Sequence, residues 1–143
     1  MTEEIETMDN IFYDVRNSEI DTLENELHLK IPKELKEFYL FNGYGFLRGN
    51  NINRFMDPLS IIDFRLRRND YDCFKENVEM EMFKEYEFDK LVFFEADAFT
   101  YISIGFSNEN EGKIYYYDIE IAESLSEFLI RIQNDENYYL ERI

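Results

Sequence analysis

The feature that most constrains the fold of this 143-residue chain is a change of texture near residue 90. Before it, apolar residues recur mostly at helical spacing; after it, they gather in short aromatic and β-branched runs. Ile5, Met8, Phe12 and Val15 predict a first amphipathic helix. Asn17-Ser18 breaks it, and Ser18 is placed to cap a second helix carrying Ile20, Leu23 and Leu27. Pro32 suits the first turn of a third helix with Leu35, Phe38 and Tyr39 inward, and Asn42-Gly43 supplies its stop. Gly43, Gly45 and Gly49 with Asn50-Asn51 read as turns around short strands. Pro58 to Phe64 fits the start of a strand or of a helix. From Asp70 to Glu87, the spacing of Phe74, Val78 and Met82 predicts a helix with an acidic outer face.

Beyond that point Leu91 to Phe94, Thr100 to Phe106 and Lys113 to Ile121 have strand composition. Ser107 to Gly112 is a polar turn that joins the last two as a hairpin. Ser124-Leu125-Ser126-Glu127 is a capping box, and the helix it opens turns Leu125, Phe128, Leu129 and Ile132 inward. The order is N-terminal helices, a mainly antiparallel sheet and a closing C-terminal helix, which is α+β. No repeat, low-complexity tract or linker divides residues 1–143, so a single domain is expected.

Charge narrows the function. There are 32 acidic and 15 basic side chains, a net charge of −17. Such a balance speaks against a phosphate-binding surface, which needs clustered Lys and Arg, and against an anionic membrane face. With 45% hydrophobic and 17% aromatic residues, the acidity does not signal disorder. The charge is uneven: residues 1–28 sum to −8, residues 29–69 to +4 and residues 70–143 to −13. The acidic opening is the reverse of a secretory leader, and no run approaches the ~20 apolar residues of a spanning helix. Cys73 is the single cysteine and forms no internal disulfide, which fits a cytoplasmic setting.

Catalytic signals are sparse. His28 sits where the second helix should end, a position the helix dipole favours for a cation. One His and one Cys do not make a zinc site, and a Cys-His pair requires the fold to unite them. Gly-x-Ser-x-Gly, Walker A and Rossmann glycine patterns are absent. No catalytic residue, metal ligand or cofactor is expected. Carboxylates remain. Glu95 and Asp97 are two apart, as are Asp118 and Glu120, so within strands each pair would share a sheet face. Such pairs make a solvated face, a protein-binding patch or, in principle, a general acid and base. In Tyr115-Tyr116-Tyr117 the middle residue would oppose the outer two, leaving one set for the core and one for an interface. The candidate partner-binding residues are therefore Glu95, Asp97, Tyr115, Tyr117, Asp118 and Glu120. Arg48, Arg54, Arg65, Arg67 and Arg68 are read as internal salt-bridge partners or a minor basic patch.

The run Ile20-x-x-Leu23-Glu24, then Leu27 to Ile31-Pro32, Leu35, Phe38 and Asn42-Gly43, resembles the N-terminal signature of the SUKH superfamily. Gly112-Lys113-Ile114-Tyr115-Tyr116-Tyr117-Asp118 resembles that family's Gly-x-Val-aromatic-Asp strand, and Ser124 to Leu129 its closing helix. The resemblance spans about residues 18–132. It implies an α+β domain of the SMI/KNR type without catalytic residues. The superfamily includes fungal regulators of cell-wall synthesis and killer-toxin resistance, and many bacterial members resemble immunity proteins against toxins, often nucleases. The expectation is a non-enzymatic immunity protein that binds a cognate toxin, such as a basic nuclease, through an acidic, aromatic surface. The alternatives are a regulatory or scaffold module and an enzyme using the paired carboxylates.

Overall fold

The computed structural model describes residues 10–97 and 99–142. Strand β1 (Ile11–Tyr13) leads into helices α1 (Asn17–Leu27) and α2 (Lys33–Phe41). Strands β2 (Tyr44–Leu47) and β3 (Asn53–Phe55) follow, and then an excursion built from α3 (Pro58–Leu66), a 3-10 stretch (Asn69–Glu76) and α4 (Val78–Phe83). The chain re-enters the sheet as β4 (Lys90–Ala96), β5 (Thr100–Gly105), β6 (Ile114–Tyr116) and β7 (Ile119–Ala122), and α5 (Leu125–Asn134) closes it. Strand order in the seven-stranded sheet is the chain order, with every neighbouring pair antiparallel. The architecture is α+β, as the change of texture predicts.

Local chemistry explains the junctions. His28 ends α1 in the left-handed conformation, and Pro32 precedes the first turn of α2. Gly43 and Gly45, at φ +96° and +150°, bring β2 against β1 so closely that a Cβ would lie 2.0 Å and 1.9 Å from the carbonyl oxygens of Tyr13 and Ile11. Ser124 Oγ accepts from Glu127 N at 3.1 Å, while Glu127 Oε1 accepts from Glu123 N at 2.7 Å, one residue earlier than a capping box requires. Glu34 of α2 also accepts from the Leu125 and Ser126 amides, which ties α2 to the electropositive start of α5.

A bulge sets the core. Pairing between β4 and β5 slips from Val92–Ser103 to Phe94–Ile102, so the inserted Phe93 shares a face with Phe94. Both rings meet Phe55 of β3 and Phe128 of α5. Phe55 in turn stacks on Phe38 of α2 at 4.0 Å. On the opposite face Phe64 of α3 packs against Tyr101 at 4.7 Å, so the central strand is covered from both sides.

Three expectations are corrected. Within the first expected helix, Ile11–Tyr13 form strand β1 and Asp14 and Val15 are not helical; Ile5 and Met8 lie outside the described residues. The expected helix from Asp70 to Glu87 is broken at Asn77, whose backbone is extended and whose side chain accepts from Met80 N to start α4 afresh. Lys113 to Ile121 is two strands, because Tyr117 adopts φ +58° and turns the chain with Asp118. That left-handed position carries a tyrosine instead of Gly or Asn, so no turn residue marks it in the sequence.

Alkaline pH should unfold this core. The Tyr39 hydroxyl is buried and donates to Met56 O at 2.6 Å, and its burial raises its ionisation well above the usual value near 10. Burial pushes Tyr71, Tyr101 and Tyr139 the same way. A phenol whose pKa is raised by folding stabilises the protein fully below the unfolded pKa, and that stability drains away as pH climbs towards the folded value. We expect part of the tyrosinate absorbance to develop only above about pH 10, together with loss of circular dichroism. Complete titration near pH 10 in a folded protein would contradict this.

Candidate partner-binding surface

The six residues singled out in the sequence separate into two groups. Glu95 faces the excursion side of the sheet, opposite Tyr101 on β5 and Arg54 on β3. Its carboxylate accepts from Arg54 Nε at 2.9 Å, and its side chain is 15% exposed. Asp57 lies 3.8 Å from Arg54 Nη1, and the Tyr71 hydroxyl accepts from Arg54 Nη2 at 3.4 Å. Asp97 lies past the end of β4, exposed, at φ +50°, with its N–H donated to Asn53 Oδ1. Because β4 ends at Ala96, Glu95 and Asp97 do not share one strand face.

The second group occupies the β6–β7 hairpin, two strands away from β4. Tyr115 stands opposite Glu120, and Lys90 Nζ lies 4.7 Å from the Tyr115 ring centroid. Lys113 Nζ is 3.5 Å from Glu120 Oε1. Partial burial, with the Glu120 charge beside it, raises the Tyr115 pKa. At the turn Tyr117 packs edge-on against Phe83 at 5.4 Å and Tyr86 at 5.5 Å. Partial burial followed by Tyr116 and Glu79 raises its pKa too. Tyr116 turns to the other face and meets Tyr139 at 5.2 Å. Asp118 is exposed at the tip. The hairpin thus joins two half-buried tyrosines to two exposed carboxylates, and Glu95 and Asp97 stand apart from them.

Sequence reasoning also missed a surface. It turned Val78 and Met82 inward, yet they are 75% and 62% exposed, while Phe83 is the buried residue of α4. The restart at Asn77 gives α4 its own rotational phase, which a single periodicity from Asp70 to Glu87 cannot register. Three of the five arginines pair as expected, Arg67 with buried Glu87, Arg68 with Asp63 and Arg54 with Glu95, whereas Arg65 donates to the backbone carbonyls of Glu87 and Lys90. Elsewhere, the polar cleft between residues 48–50 and 133–137 holds the Glu136 carboxylate, which accepts from Asn50 N, Asn51 N and Asn53 Nδ2.

Among the described residues, no group of three or more His, Cys, Asp or Glu side chains could hold a metal ion. Among them, too, no helix is long and apolar enough to cross a membrane.

A seven-stranded meander sheet packed by helices is an α+β architecture. The model of the SMI1/KNR4 family (SUKH-1) matches residues 14–131, and the chain belongs to that family. It is similar to a protein named immunity protein YxxD from Bacillus subtilis (strain 168). The two are 47% identical over 135 residues, covering 93% of this chain and 90% of the relative. No solved structure matches the chain.

Proposed function

We propose that this chain is a non-enzymatic immunity protein that neutralises a bacterial toxin by stoichiometric binding in the cytoplasm. The observation that carries the reading is the 47% identity, over nearly the whole of both chains, to a protein named as an immunity protein. The net charge of −17 supports it, since an acidic surface speeds encounter with a basic partner. A basic nuclease is the toxin class this charge suits best, because carboxylates can stand where such an enzyme expects phosphates. Tyr115 and Tyr117 would supply apolar anchors with polar tips, and Asp118 and Glu120 the charge beside them. Asp97 and the Arg54-paired Glu95 would extend the acidic contact along the sheet. Cys73, exposed and free, suits a reducing compartment.

The test is co-expression with the toxin encoded beside this chain's gene. Growth should be rescued, and the two proteins should purify as a stoichiometric complex. Raising salt from low to physiological should slow association by about an order of magnitude. A salt-independent rate would remove the electrostatic part, and a toxin neither bound nor neutralised would overturn the assignment. Binding without rescue would favour a regulatory or scaffold role.

A further inference from the structure

We propose that the excursion from Asn69 to Asp89 is the principal docking lobe, and that its occupant is a basic protein surface with an apolar recess. The identity of that partner as a toxin rests on the immunity reading above. The sequence of the lobe holds eight acidic and two basic residues, so 21 residues carry about a third of the net charge. At its centre Val78 and Met82 lie four apart on α4 and point outward, 75% and 62% exposed. Phe88, 77% exposed, follows where the lobe rejoins the sheet. Large apolar side chains ringed by carboxylates are how an interface core and its charged rim are arranged. Methionine is suited to the core because it adapts to the shape it meets.

The lobe is held in place before any partner arrives. Inward, Phe83 packs on Phe64, and the Arg67 guanidinium bridges Glu87 and the Met80 carbonyl. Arg65 Nη1 donates to the carbonyls of Glu87 and Lys90, at 2.9 Å each, where the lobe returns to β4. Such preorganisation removes ordering costs that binding would otherwise meet. The lobe is also continuous with the hairpin, because Tyr117 packs on Phe83 and Tyr86.

Charge selects the occupant. A second copy would present the same carboxylates, and nucleic acid or an anionic membrane would be repelled. A basic protein surface gains from both the rim and the apolar centre.

Two variants of the full chain test this by calorimetry and stopped-flow association kinetics against the adjacent-gene toxin, beside Asp14→Lys with Asp21→Lys, two exposed positions outside the lobe, as a charge-matched control. The double variant Val78→Ser with Met82→Ser should weaken binding by about 30-fold or more with an unchanged melting temperature. Glu79→Lys with Glu85→Lys should slow association more than it changes dissociation, and more than Asp14→Lys with Asp21→Lys does. If both lobe variants bind like the wild type, the lobe is refuted while the immunity reading stands. If the wild type neither binds nor rescues, the immunity reading falls and takes the lobe with it. Self-association of the wild type that disappears in the serine variant would refute the basic partner in favour of a second copy.

Discussion

Replacing Arg67 by methionine should lower the unfolding free energy by about 3–5 kcal/mol, read from urea denaturation. The Arg67 side chain is nearly inaccessible and ends α3 at φ +53°. Its Nη1 donates to Phe64 O at 2.6 Å, and its Nη2 to Met80 O at 3.2 Å and to Glu87 Oε2 at 2.5 Å. The guanidinium carbon lies 4.7 Å from the Phe64 ring centroid, which adds a cation–π contact. Loss of this one side chain removes the polar ties from the end of α3 to α4 and to Glu87, leaving the Phe64–Phe83 packing and the Arg65 bonds to hold the lobe. It also strands Glu87, whose carboxyl burial already pushes upward and whose ionised form the Arg67 bond opposes losing. A carboxyl whose folded pKa is raised holds its proton longer in the native state, so stability falls as pH rises from the unfolded value near 4.5. Removing Arg67 enlarges the rise, so the variant should lose more stability than the wild type between mildly acidic and neutral pH. Adding Glu87→Leu should restore part of the loss, because an unpaired buried charge costs more than an apolar pair. A loss below about 1 kcal/mol for Arg67→Met would show that the pair holds nothing together.

Phe55→Ala should cost a similar amount, about 3–5 kcal/mol. Phe55 is fully buried on β3, where α2 meets the sheet. It stacks on Phe38 at 4.0 Å and meets Tyr39, Phe93 and Phe94 at ring separations of 6.4, 5.7 and 5.2 Å. Truncation removes the ring that all four share, and the bulged Phe93–Phe94 pair cannot move inward without giving up its β-ladder. Phe55→Leu keeps much of the volume and should cost roughly 1.5 kcal/mol. Equal losses for the two variants would argue against a cavity and for a backbone effect at β3.

The α+β order was readable because helices and strands repeat their apolar residues differently, and both periods survive in the sequence. Leu35, Phe38 and Tyr39 on α2, and Leu125, Phe128, Leu129 and Ile132 on α5, are all buried as their spacing requires. What spacing could not reveal are places where the backbone changes phase without Gly or Pro. Asn77 resets α4, and Tyr117 folds one apparent strand into a hairpin. Both events bear on the candidate surface. The first turns Val78 and Met82 outward, and the second takes Tyr117 out of line with Tyr115 and puts Asp118 at a turn. Glu95 was chosen for its spacing from Asp97, but its partner Arg54 lies 41 residues away and becomes a neighbour only through the β3–β4 register.

The agreement between strand order and chain order carries a consequence for how the protein is made. Among the described residues, every β-strand after β1 finds a partner in the strand synthesised just before it. A nascent chain can therefore extend the sheet at one growing edge, with no earlier strand displaced to admit a later one. The waits are unequal. Only three residues separate β5 from β4, whereas β2 and β4 must each await an excursion of 30 and 34 residues. Those two helical intervals, rather than the sheet itself, should set the tempo of folding during translation, since closing long loops is the slow part of assembling non-local pairs.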